Sequence, residues 1–134
     1  MSDLTYDAVE LFLTRLRAAW DAADAASYAA QFTEGASYVT WRGDVLLGRR
    51  EIERVHDQVF RVWSAPTMMA TKVIQTTMLK PGIHVVLTAG GIGQQPPVAF
   101  DKIQTFVLVG ADDTLLCSAF HNTVMNDAAK AVVT

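Results

Sequence analysis

The chain has 134 residues, close to the ~150 of a typical domain, so one domain spanning residues 1–134 is predicted. Apolar residues make up 51% and charged residues 19%, which excludes a disordered chain, and eleven Lys and Arg dispersed among fourteen Asp and Glu exclude a basic stripe that would track nucleic-acid phosphates. A lone cysteine, Cys117, cannot form an internal disulfide; with an acidic start (MSDLTYD) and no apolar run of ~18 residues, the expectation is a cytoplasmic protein with neither nucleic-acid nor membrane partners.

Val9, Leu13, Leu16 and Trp20 recur at helical spacing with Phe12, Ala19 and Ala23 beside them, so a first helix is predicted, capped by Asp3 or Thr5. Asp24 can cap a second helix over residues 25–32, ended by Gly35. Residues 37–42 and 45–47 flank the turn pair Gly43-Asp44 and read as a small hairpin. The helical period returns at Ile52, Val55, Val59 and Trp63 and must stop before Pro66. Residues 67–79, 83–92, 98–109 and 114–125 are β-rich runs separated by short Gly, Pro and Asp turns, which predicts an antiparallel meander. The whole is α+β, with the helices on one sheet face.

These strands are apolar on both faces: Phe106 and Leu108 alternate with Val107 and Val109. A half-solvated sheet would alternate with polar residues, so the second face is expected to meet another copy of the chain in a homodimer.

No cofactor is expected. Gly90-Gly91-Ile92-Gly93 is followed by Gln94-Gln95-Pro96-Pro97 rather than by the helix a phosphate loop requires, and reads as a strand end or bulge. No metal is expected either, because His56, His84 and His121 come from three elements without ligand spacing. Cys117 and His121 share a strand face in this reading but lie about 13 Å apart, too far for a nucleophile and base pair. His56 at the edge of the third helix's apolar stripe, His121 on a face read as inward, and Lys102 are the candidates for chemistry in a pocket that Trp20, Tyr38, Trp41, Trp63 and Phe106 would line for a flat, unsaturated ligand.

The element order, residues 24–60 with LGRREI at 47–52, and the closing DDTLLCSAFHNT at 112–123 resemble the NTF2-like superfamily in its SnoaL-like branch, and within it proteins of polyketide and enediyne biosynthesis in actinomycetes. The resemblance covers nearly the whole chain. It implies a cone in which a curved antiparallel sheet wraps three helices around an internal apolar pocket, with dimers formed through the sheet. Ketosteroid isomerase shares that layout, but its catalytic aspartate falls on Thr40, its first-helix tyrosine on Leu16 and its protonated aspartate near Gln104, so its enolisation chemistry is absent; its third-helix tyrosine falls on His56. The Arg-x-Asp pair of epoxide hydrolases of this fold is missing at Ala99-Phe100-Asp101, and of the His and Asp pair of SnoaL-type cyclases the histidine is matched by His121 while no residue is assigned to the aspartate.

The expected function is therefore a small-molecule pocket protein that acts on or binds a hydrophobic, polyketide-like intermediate. His121 and His56 are the proton-transfer candidates, and Trp20, Tyr38, Thr40, Trp63, Lys102, Gln104 and Phe106 the substrate contacts. Any chemistry would be of the isomerase or cyclase type rather than redox. A non-catalytic carrier and a pure dimerisation module are the alternatives.

Overall fold

The structure, a computed structural model, describes residues 2–62, 67–111 and 114–133, with residues 2–7 given by their backbone alone. Helix α1 (Ser2–Asp21) forms as its stripe dictates, burying Val9, Leu13, Leu16 and Trp20. It begins at Ser2, so Asp3 and Thr5 lie inside it rather than capping it. Asp24 does cap α2 (Ala25–Ala29), accepting from the Ser27 amide at 3.0 Å.

That second helix is shorter than its composition suggests. Phe32, expected as its last residue, opens β1 (Phe32–Val39), which also contains Gly35. A partner distant in sequence decides the matter: Phe32 pairs with Cys117, whose amide donates to the Gln31 carbonyl at 2.8 Å. The hairpin to β2 (Val45–Leu47) then leads into α3 (Arg49–Val62).

The meander is present as β3 (Met68–Lys80), β4 (Ile83–Gly93), β5 (Lys102–Val109) and β6 (Leu116–Val124). With the hairpin it makes one curved six-stranded sheet in the order β2-β1-β6-β5-β4-β3. All neighbours are antiparallel except β1 and β6, which run parallel. One face of the sheet, carrying Val86, Phe106, Leu108 and Phe120, packs on Phe12, Leu13, Tyr28 and Ile52 of the first three helices and forms the main core.

The expectation that every helix lies on that face is corrected by α4 (Asp127–Val133). Its first turn is capped by Asn126, which accepts from the Ala129 amide at 2.8 Å. Met125, Ala129 and Val133 cluster with Ile74, Ala89 and Ile103. Ala89 and Ile103 oppose each other one residue out of phase with inward-facing Thr88 and Gln104, so this cluster covers part of the outer face. Lys72 Nζ donates to the Val133 carbonyl at 2.8 Å and fixes the helix end. No helix among the described residues is long and apolar enough to cross a membrane.

Candidate functional site

Between the inner sheet face and the first three helices lies a cavity of about 580 Å³, within the range of small-molecule sites. Strand register arranges its sheet wall in rows. Tyr38, Phe120 and Phe106 are successive cross-strand partners on β1, β6 and β5, with ring centroids 4.5 and 4.9 Å apart. Two residues along, Asn122, Gln104 and Thr88 form a polar row, and Thr40, just past β1, flanks it on the cavity wall. Next come Lys102, Gly90 and Thr71.

The helices supply the opposite wall. Trp20 of α1 donates from Nε1 to Thr67 Oγ1 at 2.9 Å, and its ring meets those of Tyr28 and Phe60 edge-on. His56, 5% exposed, projects from α3 and stacks on Tyr28 with ring centroids 4.4 Å apart.

A hydrogen-bond chain runs through the deep end, and donor capacity fixes its direction. His56 Nδ1 lies 2.7 Å from the Ile52 carbonyl, which can only accept, so Nδ1 carries the proton and Nε2 the lone pair. The Tyr38 hydroxyl, 3.2 Å away, donates to Nε2. Tyr28 must then donate to Tyr38, its oxygen 2.8 Å away. Burial draws His56 down to about 4, opposed in part by the Ile52 carbonyl, and burial pushes both phenols up. At neutral pH the chain is uncharged throughout.

Toward the mouth the wall is polar. Lys102 Nζ pairs with Asp101 Oδ2 at 2.9 Å and sits 5.6 Å from the centroid of the exposed Trp41 ring. Thr40 Oγ1 accepts from the Asp44 amide at 3.1 Å and donates to its carboxylate at 3.2 Å. Gln104 Oε1 accepts from Thr88 Oγ1 at 2.8 Å, both residues buried. Within the glycine cluster, a Cβ on Gly90 would stand 2.5 Å from Gln104 Oε1 and one on Gly91 closer still to the Ala99 carbonyl oxygen, so Gly90 makes room for that amide and Gly91 for the neighbouring backbone.

Of the residues singled out in the sequence, His56, Trp20, Tyr38, Thr40, Lys102, Gln104 and Phe106 all line the cavity. Trp63 lies outside the described residues. The inward reading of His121 is corrected: it is exposed and faces outward. Val107 pairs with Ala119 but Leu108 with Cys117, so Ser118 is an extra residue in β6, and such a bulge moves every later side chain to the other face. Cys117, expected on the face of His121, is on the opposite one; burial pushes its thiol up to about 12 and leaves it a core residue. His84 is buried on the inner face away from the cavity, and burial lowers its pKa.

Tyr28 and Asn122 also line the cavity and were missed. Asn122 was hidden by that same bulge, because unbroken alternation puts His121 rather than Asn122 on the inner face; Tyr28 was passed over as one residue of a short helix. Among the described residues no three His, Cys, Asp or Glu side chains gather to hold a metal ion.

No protein-family model and no curated protein matches the chain. Solved structures do match. Aln2 from a Streptomyces species superposes with a TM-score of 0.80 at 19% identity, covering 95% of each chain. An NTF2-like protein of unknown function from Shewanella oneidensis gives 0.73 at 16%, covering 89% of this chain and 98% of that one. A protein of the NTF2-like family from Streptomyces avermitilis, suggested to be a dehydratase, gives 0.72 at 16%, covering 94% and 99%. The resemblance read in the sequence thus holds at the level of architecture: the chain has the NTF2-like, cystatin-like fold.

Proposed function

We propose that this chain binds a hydrophobic, polyketide-like small molecule in the cavity, as its resemblance to the SnoaL-like branch implies. The observation that carries the reading is an aromatic cavity of about 580 Å³ whose deep polar groups, Tyr28, Tyr38 and His56, bond to one another and carry no charge. A neutral, flat ligand enters such a space without stranding an ion. The proposal includes a homodimer through the outer sheet face and a cytoplasmic location.

Acid–base chemistry would run through Tyr38 and His56. A ligand carbonyl that takes the Tyr38 hydroxyl releases His56 Nε2, which then accepts a proton from the adjacent carbon and returns it elsewhere on the same molecule, an isomerase- or cyclase-type step. The carrier reading is favoured by the burial of His56, which draws the ring down to about 4 and makes it a weak base.

Titration with aromatic polyketides should quench tryptophan fluorescence saturably, and the absence of binding across such a panel leaves the dimerisation module standing. Conversion of the bound ligand to an isomeric or cyclised product, followed by NMR, separates the rest. Turnover lost in His56→Ala with binding retained means catalysis, and no turnover in the wild type means a carrier.

A further inference from the structure

Gln104 and Asn122 face each other directly across β5 and β6, which sets their Cβ atoms about 5 Å apart on the cavity wall. Their amides are incompletely used. Asn122 Oδ1 is shielded from solvent and accepts no hydrogen bond. Gln104 spends its oxygen on Thr88, and its Nε2 has no protein partner among the described residues. An unused acceptor and an unused donor are therefore carried by paired residues in the row next to the aromatic one, and an unsatisfied buried polar atom such as Asn122 Oδ1 carries a free-energy cost that a complementary ligand would remove.

We propose that this amide pair is the specificity determinant of the cavity, and that its ligand is a planar, neutral molecule with a donor and a carbonyl adjacent on one edge, as in a lactam, an imide or an enolised hydroxy-ketone. Asn122 lines the cavity; a turn of its amide brings Oδ1 from its shielded position to the N–H or O–H of that edge, and the edge's carbonyl accepts from Gln104 Nε2. The ring then lies against Phe106, Phe120 and Tyr38, the adjacent row of the sheet. The inference rests on the cavity being a ligand site.

NMR titration of the full chain with 2-quinolone, N-methyl-2-quinolone and naphthalene tests both statements separately. The first carries the paired edge, the second has a methyl group in place of the donor hydrogen, and the third has no polar edge. About tenfold tighter binding of 2-quinolone than of its N-methyl derivative is expected, the size of effect a buried hydrogen bond brings. In Asn122→Leu, or in Asn122→Ala if leucine does not fit, the ratio should fall to near one with naphthalene affinity unchanged and the thermal midpoint of the free protein raised. A merely structural asparagine would lower that midpoint. Equal affinities for the two quinolones in the wild type overturn the amide-pair inference and leave the ligand site intact; no binding of any of the three overturns both.

Discussion

Phe106 and Val107 are neighbours in the chain and opposites in the fold. Phe106, 1% exposed, points inward against Phe12 and Phe120; Val107 is half-buried on the outer face. Both strand faces are apolar, yet the chain's first three helices close the inner one, while α4 covers the outer one only around Ala89, Ile103 and Ile74. Val107 and its partner Val85 lie beyond that patch. A strand apolar on both faces thus reports two burials with different owners, one intramolecular and one that the proposed second copy would complete.

Charging the outer face gives the largest expected effect. Val107→Asp places an unpaired carboxylate where the proposed dimer would desolvate it, at a cost of several kcal/mol, so sedimentation velocity should show a species of about twice the chain mass for the wild type and the single chain for the variant. A wild-type monomer at micromolar concentration would assign the outer face to solvent and break the comparison.

On the inner face the expected loss is of a different kind. Phe106→Ala opens a hole in the core and should lower unfolding stability by about 3–5 kcal/mol in urea titration, by the same amount at every protein concentration. A concentration-dependent loss would mean that this ring serves assembly rather than the core.

Protonation probes the inner face without a core mutation. His56 is drawn to about 4 in the folded state against about 6.5 when unfolded, so between these values the unfolded chain binds more protons. Stability conferred by the neutral ring is therefore complete above pH 6.5 and lost as pH falls, by about 3 kcal/mol on reaching pH 4; His84, also lowered by burial, adds in the same direction. Urea unfolding at pH 7 and pH 4.5 should show the loss in the wild type and a flatter profile in His56→Gln. An equal slope in the variant would assign the titration to other groups.

Local periodicity made much of this legible. The stripes of α1 and α3, the turns of the meander, and the inward phase of Phe106 all follow from spacing and turn chemistry acting within a few residues. What stayed hidden depends on distant partners. Phe32 joins a strand because β6 accepts it in parallel register, and nothing in its neighbourhood distinguishes that from a helix end. The extra residue at Ser118 has no composition signal, yet it decides which of His121 and Asn122 reaches the cavity. Helix α4 did have a signal, Asn126 ahead of Asp127-Ala128-Ala129, lost by reading residues up to 125 as the end of the fold.

The smallest expected effect is the one that separates the faces most directly. His121 pairs with Thr105 across β5 and is exposed, so His121→Ala removes a solvated ring and leaves the cavity wall unchanged; surface truncations of this kind stay within about 0.5 kcal/mol. Ligand affinity and any turnover of the ligand should match the wild type, whereas the equivalent change at His56 removes the acceptor of the Tyr38 hydroxyl and leaves a buried donor unpaired. Affinities of both variants for one aromatic ligand, measured side by side, check the bulge at Ser118 in solution: a change in His121→Ala matching that in His56→Ala would mean that β6 runs without its extra residue and presents His121 to the cavity.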